Sequence, residues 1–128
     1  MKTITHVAVK YRTVIFYAPP NFRHHHCLWA IGRTFGSHSR EDIVQGFLDS
    51  DDHFVGRKRA LVIATEANQL LPDRPVHGDE LYSENVWAGP ALTENPGNIL
   101  GYVYMRGIED YDEQREHGNS GAPAYRAG

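Results

Sequence analysis

The first stretch of the chain has the residue pattern of a β-hairpin. Residues 4–18 read ITHVAVKYRTVIFYA, in which two runs rich in Ile, Val, Phe and Tyr are separated by a polar run. β-Branched and aromatic residues favour extended backbone, and a polar interruption favours a turn. We therefore predict strands over residues 4–10 and 14–18. Pro19 and Pro20 end the second strand, because proline cannot donate a hydrogen bond to a sheet.

The next apolar residues follow the period of an α-helix. They recur at spacings of three and four, which places them on one face of a helix: Leu28, Ile31 and Phe35. We predict a helix over residues 22–33, with Asn21 as its N-cap and a glycine at its end. The same face, extended toward the N-terminus, reaches His24.

A second hairpin and a second helix are predicted further along the chain. Residues 36–43 are polar and loop-like, and the apolar residues of 46–55 then flank an acidic turn, which predicts a short hairpin. A helix is predicted over residues 57–69. Its inward face carries Ala60, Ile63, Ala64 and Ala67. Small side chains let a helix backbone lie close to its neighbour, which we expect to be the sheet or the first helix.

The last third of the chain gives weaker signals. A loop rich in proline and glycine leads to residues 81–87, LYSENVW, which predict a short helical turn with Ser83 as a candidate cap. Residues 99–105 predict one late strand. Residues 106–128 have no apolar periodicity, so we expect a polar tail that is mobile or held by a partner chain. The pattern predicts one compact α+β domain over residues 1–105, with two main helices packed on a small antiparallel sheet.

Composition excludes several classes of protein. The chain has 128 residues, one cysteine and a formal net charge of −3, which suits one domain without a disulfide framework or a multi-cysteine metal site. An acidic balance does not suit the neutralisation of many phosphates, so we expect no nucleic-acid partner. No apolar run reaches the roughly 20 residues of a membrane span, and the N-terminus lacks the apolar centre of a signal peptide. We expect a cytoplasmic protein without a membrane partner.

The histidines are the unusual feature of the composition. Three of the eight are consecutive, at positions 24–26, at the start of the first predicted helix. Neighbours on a helix point about 100° apart, and histidines at i and i+4 are absent, so we expect no metal site. A helix N-terminus attracts anions, and His24 and His25 would add donors for a phosphate or carboxylate. The alternatives are that one ring fills the core edge while the others are solvated, or that one takes part in acid–base catalysis. Cys27 is expected to be a small buried hydrophobe.

Charged residues mark the second predicted helix. Arg57, Lys58 and Arg59 open it, and Glu66 lies near its end. A run of bases at a helix start is either a solvated face or a grip on a phosphate. Glu66 is a candidate hydrogen-bond acceptor or acid–base group.

The segment LYSENVW has two interpretations. In the first, Leu81 and Trp87 fill the core beneath a loop, and Ser83 and Glu84 form a local cap. In the second, Tyr82 and Trp87 form an aromatic wall that stacks a ring, with Glu84 accepting hydrogen bonds from amide or hydroxyl groups of that ring.

Three of these segments together resemble a known group of proteins. They are RHHH at 23–26, QGFLDSDDHFVGRKRALVIATEANQ at 45–69, and LYSENVW at 81–87. In this combination, residues 7–87 resemble small proteins encoded by tailed bacteriophages and prophages. The resemblance implies an accessory role for a phage and a location in the host-cell cytoplasm, and it implies no particular reaction.

The leading hypothesis is a small ligand-binding protein without a cofactor. The ligand would be an anionic, ring-bearing molecule such as a nucleotide, and a phage product of this kind could sequester a host defence signal. The candidate binding residues are His24, His25, Arg57, Arg59, Glu66, Tyr82, Ser83, Glu84 and Trp87. The alternatives are a hydrolase in which His25 and Glu66 or Glu84 act as acid and base, and a protein inhibitor that acts through the acidic tail.

We also expect a homodimer or a higher homo-oligomer. The predicted strand over residues 99–105 carries Tyr102 and Tyr104 and would offer a sheet edge to which a second copy can add.

Overall fold

The computed structural model of the chain describes residues 1–88, 101–107 and 122–123. Within these residues the strands are β1 (Ile4–Tyr11), β2 (Val14–Ala18), β3 (Ile43–Asp49), β4 (Phe54–Gly56), β5 (Tyr104–Gly107) and β6 (Ala122–Pro123). The helices are α1 (His24–Phe35) and α2 (Arg57–Glu66), with two 3₁₀ turns at Arg40–Asp42 and Ser83–Asn85.

The six strands form one antiparallel sheet in the order β4-β3-β1-β2-β5-β6. The first hairpin places β1 and β2 side by side, and Arg12 in its turn takes a left-handed conformation with φ of 56°. β3 adds to the other side of β1, with an irregularity in the register between Ile4 and His6. The central strand therefore has partners on both sides, which is why most of its residues are buried.

Both helices cover the same face of the sheet. α1 packs on the half that includes Val7, Val9 and Phe16, while α2 packs on the half that includes Phe47. Val7 and Phe47 are cross-strand partners, so the two halves are one continuous surface. Trp87 contacts both hydrophobic clusters and closes the seam between the helices. The predicted α+β architecture, with two helices on an antiparallel sheet, is confirmed.

Side chains of the strands themselves bury the centre of the opposite face. Ala8, Ile15, Tyr17 and Leu48 form this second layer and are almost fully buried. The guanidinium of Arg106, on β5, lies 4.6 Å from the centroid of the Tyr17 ring. It donates to both carboxylate oxygens of Asp52, at 3.0 and 2.9 Å.

The start of α1 differs from its prediction. Asn21 has a φ of 76° and does not cap the helix; Arg23 occupies the N-cap position instead. The backbone N–H of Arg23 donates to Nδ1 of His26 at 2.9 Å. The side-chain acceptor at this helix start is thus a histidine of the first turn, which accepts from the N–H of the N-cap residue, rather than an N-cap asparagine that accepts from the first turn.

The end of α2 is also earlier than predicted, at Glu66 rather than residue 69. Asn68 takes a left-handed conformation with φ of 58°. The Gln69 amide then pairs with the backbone of Ile4, accepting from its N–H at 2.7 Å and donating to its carbonyl at 2.9 Å. A tertiary contact with β1 therefore ends this helix.

The late strand lies further along the chain than predicted. Of residues 99–105, positions 99 and 100 lie outside the described residues, and β5 spans Tyr104–Gly107. β6, at Ala122–Pro123, pairs with β5, so β5 is not the sheet edge expected for a second copy. The acids of the tail, on which the inhibitor hypothesis rests, lie outside the described residues. In the described part of the chain, no helix has the length and apolar character to cross a membrane.

Candidate functional site

The first turns of both helices and the second 3₁₀ turn meet at one cavity of about 330 Å³, called here the basic pocket. The N–H of Leu81 donates to the Arg57 carbonyl at 3.1 Å, which ties the segment before the 3₁₀ turn to the first residue of α2. The residues that line the pocket are Arg23, His24, His25, Arg57, Tyr82, Ser83 and Glu84. Residues from the first turns of both helices therefore line the same space, and the N-terminal end of a helix favours negative charge.

Two guanidinium groups provide the positive charge of the basic pocket. Arg23 donates from Nη2 to the carbonyl of Trp87 at 3.2 Å. Arg57 donates from Nη2 to Oε1 of Gln45 at 2.7 Å, and its guanidinium lies 4.4 Å from the centroid of the Tyr82 ring. Its buried Nε has no hydrogen-bond partner among the described residues. These two acceptors are neutral, and the acid whose charge acts on Arg23 is Glu84.

His24 is a structural element of the pocket wall. Its Nε2 donates to the carbonyl of Gly46 at 2.7 Å, because a carbonyl can only accept, and its ring meets the edge of Phe47 at 5.0 Å. Burial lowers the pKa of His24 to about 4, against the opposing effect of the Gly46 hydrogen bond; the charges of Arg57 and Arg23 lower it further. His24 is therefore neutral at pH 7.

His25 is the exposed histidine of the pocket. Partial burial lowers its pKa, and the positive charge of Arg23 adds to that effect. Its ring contacts those of His26 and Trp29, at centroid distances of 4.1 and 5.0 Å. His25 is accessible to solvent and to a ligand, so it can gain a proton when an anion binds nearby.

The 3₁₀ turn presents polar and aromatic groups from a rigid backbone. The N–H of Tyr82 donates to Oδ1 of Asn85 at 2.8 Å, and the side chain of Asn85 is buried. The Ser83 hydroxyl donates to Oε2 of Glu84 at 3.4 Å. Among the described residues that line the basic pocket, Glu84 is the one acid, and it can accept hydrogen bonds from a ligand.

Six of the nine predicted binding residues line the basic pocket, and three do not. The residues brought together are His24, His25, Arg57, Tyr82, Ser83 and Glu84. Glu66 is the last residue of α2, about 13 Å along the helix axis from Arg57. Arg59 lies exposed on the same helix, and Trp87 packs between the two hydrophobic clusters. Of the two acid–base pairs considered for a hydrolase, His25 and Glu66 do not line the same pocket, whereas His25 and Glu84 do.

Arg23 is the pocket residue that the sequence analysis missed. Its position directly before the histidine tract was a usable signal, because an N-cap side chain lies beside the free N–H groups of the first turn. The remaining histidine of the tract, His26, is buried and accepts the Arg23 N–H, and the residue after the tract, Cys27, is buried as predicted. Burial raises the pKa of the Cys27 thiol, which makes it a poor nucleophile.

A second cavity, called here the side pocket, adjoins the basic pocket. Its volume is about 320 Å³, and it is lined by Arg74, Pro75, His77, Tyr82, Glu84 and Asn85. Tyr82 and Glu84 belong to both pockets. The proline-rich loop that supplies three of the other residues has no periodic pattern, so nothing in the sequence indicated this pocket.

Two further polar or aromatic clusters lie away from the helix starts. A cavity of about 300 Å³ on the opposite face of the sheet is lined by His6, Tyr17, Pro19, Tyr102 and Tyr104. In the turn after β3, ligand atoms of Asp49, Asp51 and His53 lie within 4.8 Å of one another. The ammonium of Lys2 is 3.6 and 3.7 Å from the two carboxylates, so a cation is already supplied by the chain.

Comparison with known protein families gives one match. The family described as Phage T4 y16D protein matches residues 3–87, which include all the described residues of the basic pocket. No curated protein and no solved structure matches the chain. The match confirms the expected relation to small phage proteins and does not bear on the individual motifs from which that relation was inferred.

Proposed function

The chain belongs to the Phage T4 y16D protein family, and we propose that it binds a small anionic molecule that carries a ring, of the nucleotide class, in the basic pocket. The observation that carries the proposal is the pair of guanidinium groups, Arg23 and Arg57, held by neutral acceptors beside two helix N-termini. Guanidinium groups and helix starts both favour phosphate oxygens.

Charge supports an anionic ligand. The lining residues of the basic pocket include two arginines, two histidines and one acid, Glu84. With both histidines neutral, the lining carries a net charge of +1, although the whole chain has a formal charge of −3. A local excess of positive charge on an acidic protein favours an anion at this position.

Size and aromatic character support a ring-bearing ligand. A volume of about 330 Å³ lies at the lower end of the range of ligand pockets, which run from about 300 to 1,000 Å³. Tyr82 lines the basic pocket and is 38% exposed. An exposed aromatic ring beside fixed cations is suited to stacking a ligand's own ring.

Binding without turnover is the mode of action that we propose. His24 is neutral and fixed by its hydrogen bond to Gly46, so it cannot exchange protons near pH 7. A stoichiometric binder lowers the free concentration of its ligand, and a phage protein of this kind would sequester a nucleotide signal of the host.

A hydrolase is the second candidate function. It is favoured by the presence of His25 and Glu84 on the same pocket, where they could act as base and acid. Incubation of the purified protein with each nucleotide, followed by chromatography of the small molecules, separates the two functions. Recovery of intact ligand supports binding alone, and catalytic amounts of product establish the hydrolase.

The proposal is tested by calorimetric titration of the protein with inorganic phosphate and the four 5′-mononucleotides. Replacing Arg57→Gln should weaken binding by about 10- to 150-fold, because a charge-assisted hydrogen bond contributes about 1.5–3 kcal/mol. Arg59→Gln is the matched control, since Arg59 lies exposed outside the pocket on the same helix. Equal affinity in the two variants, or no binding by any of these anions, would contradict the proposal.

A further inference from the structure

The basic pocket and the side pocket share a wall formed by Tyr82 and Glu84. Each has a volume of about 300 Å³, at the lower end of the range for ligand sites, and together they approach the middle of it. Two small cavities with a common wall can hold two parts of one ligand. The chemistry of their linings differs, which indicates which part each would hold.

The basic pocket has the stronger features for a phosphate. Residues from the first turns of α1 and α2 line it, and Arg23 and Arg57 are each hydrogen-bonded at its wall. The side pocket has neither helix start. Its lining combines the ring of Tyr82, the pyrrolidine ring of Pro75 and the imidazole of His77, with one guanidinium from Arg74. Two aromatic rings and one apolar ring, with a few polar groups, are suited to a base rather than to a second phosphate.

The position of Arg57 decides how Tyr82 can be used. The Arg57 guanidinium lies 4.4 Å from the centroid of the tyrosine ring and so covers one of its faces. Arg57 lines the basic pocket and not the side pocket. A ligand ring can therefore stack only on the other face of Tyr82. Because Tyr82 also lines the side pocket, a ring in that pocket is in a position to do so.

The side pocket is shaped by contacts of the chain itself. Nδ2 of Asn85 donates to the carbonyl of Arg74 at 3.3 Å, and Oδ1 of Asn85 accepts from the N–H of Tyr82. The carbonyl of Asn85 accepts from the N–H of Leu71 at 2.8 Å. These bonds hold the loop against the 3₁₀ turn before any ligand arrives, which lowers the entropic cost of binding.

Charge links the two pockets at their boundary. Burial lowers the pKa of Arg23, the negative charge of Glu84 raises it, and the positive charge of Arg74 lowers it, so charges from the linings of both pockets act on Arg23. Three arginines and one acid line the combined space. A ligand with about two negative charges, such as a phosphomonoester, would balance them.

We infer that one nucleotide spans both pockets, with its phosphate in the basic pocket and its base in the side pocket, stacked on the free face of Tyr82. This inference rests on the proposed function of the basic pocket. It assigns to Arg74, Pro75 and His77 the recognition of the base, and to Glu84 the acceptance of a hydrogen bond from the ribose or base at the boundary.

The experiment compares ligands with and without a base in calorimetric titrations of the intact chain. The ligands are inorganic phosphate, AMP, GMP, CMP and UMP. At least one mononucleotide should bind ten times more tightly than phosphate. His77→Ala should lower that mononucleotide's affinity several-fold while leaving the affinity for phosphate unchanged, and Arg74→Gln should lower the mononucleotide's affinity more than the affinity for phosphate. Arg57→Gln should weaken both ligands, and Arg59→Gln should weaken neither.

The outcomes separate this inference from the proposed function. If Arg57→Gln weakens nucleotides while Arg74→Gln and His77→Ala leave them unchanged, the base lies elsewhere and the inference is wrong, although anion binding stands. If phosphate binds as tightly as every nucleotide, the inference is again wrong. If Arg57→Gln changes no affinity, the proposed function fails as well. Thermal unfolding of each variant checks that the fold is retained. We expect the Arg74 and His77 variants to retain it, because these residues lie in a surface loop.

Discussion

Three consecutive histidines in the first turn of α1 have three different surroundings. His24 is buried and donates to the Gly46 carbonyl, His25 faces the basic pocket, and His26 accepts the N–H of Arg23. Successive residues on a helix are rotated by about 100°, so adjacent side chains enter different environments. The tract thus comprises one buried residue of the pocket wall, one exposed residue that lines the basic pocket, and one residue that caps the helix.

His24 should make stability depend on pH. Its pKa is about 4 in the folded protein and about 6.5 in the unfolded chain. The unfolded chain binds the extra proton first, so the contribution is complete above pH 6.5 and is lost as pH falls toward 4. The expected loss is on the order of 3 kcal/mol. Urea unfolding at pH 7 and pH 4 should show a shallower decline for His24→Gln, whose amide can still donate to Gly46, than for the surface variant His77→Gln.

His25 should make anion binding depend on pH. A bound anion favours the protonated imidazole, and the lowered pKa of the free site places the onset below pH 6.5. The affinity ratio of the natural protein to His25→Gln, measured with AMP, should be near one at pH 8 and about tenfold at pH 5. Because the phosphate of AMP titrates in the same way with both proteins, its own pH dependence cancels in this ratio. A ratio that stays constant over this range would show that His25 does not contact the anion.

At the scale of elements, the close approach of β3 and β4 depends on Gly46. A Cβ on Gly46 would lie 2.2 Å from the carbonyl oxygen of Val55 and 2.8 Å from Cζ of Phe54. The Phe54 ring occupies the space above the glycine on the outer face of the sheet. The carbonyl of Gly46 also accepts the hydrogen bond from His24, so the hairpin and the start of α1 meet at Gly46.

Gly46→Ala should therefore destabilise the fold by about 3 kcal/mol or more, because backbone must move to admit one methyl group. Gly56→Ala is the matched control. A Cβ there meets nothing within 4 Å, and its φ of −70° suits alanine, so the change should stay within about 1 kcal/mol. Denaturant midpoints compare the two variants. Similar midpoints would mean that the strands can separate without cost.

At the scale of the whole molecule, one ion pair connects distant parts of the sheet. Asp52 lies in the turn between β3 and β4, and Arg106 lies on β5, three strands away from β3. The arginine side chain crosses the Tyr17 ring to reach the carboxylate. Its exposed fraction is only 2%, and that of Asp52 is 34%. The pair thereby covers the face of the sheet that the helices leave open.

Asp52→Asn should destabilise the protein by about 2–3 kcal/mol. Breaking a fully buried pair costs about 3–5 kcal/mol, and the partial exposure of Asp52 reduces that figure. Asp51→Asn, one residue earlier, should change stability by less than about 0.5 kcal/mol, since Asp51 is exposed and 3.7 Å from Lys2. Urea unfolding of both variants tests the difference, and equal stabilities would mean that the ion pair contributes nothing.

The sequence by itself determined the local elements. Alternation and period identified both hairpins and both helices, because apolar positions must face one core whatever the exact packing. It did not determine where elements end. α2 ends at Glu66, three residues before Gln69 bonds to the backbone of Ile4. α1 begins where His26 accepts the N–H of Arg23. The contact of Gln69 with Ile4 joins residues that are 65 positions apart and forms only in the folded chain, whereas the contact of His26 with Arg23 is local but follows no periodic pattern.

The candidate site divides in the same way. Residue type alone indicated bases and an aromatic wall at element ends, and six of those residues do line one cavity. Only the tertiary structure decided that Arg23 joins them, that Glu66 lies at the far end of its helix, and that the loop carrying Arg74 forms a second cavity. Irregular loops have no period to read, and a pocket exists only after distant segments meet. The periodic pattern of apolar residues can therefore be identified from the sequence, whereas the end of α2 and the positions of the pockets depend on long-range contacts.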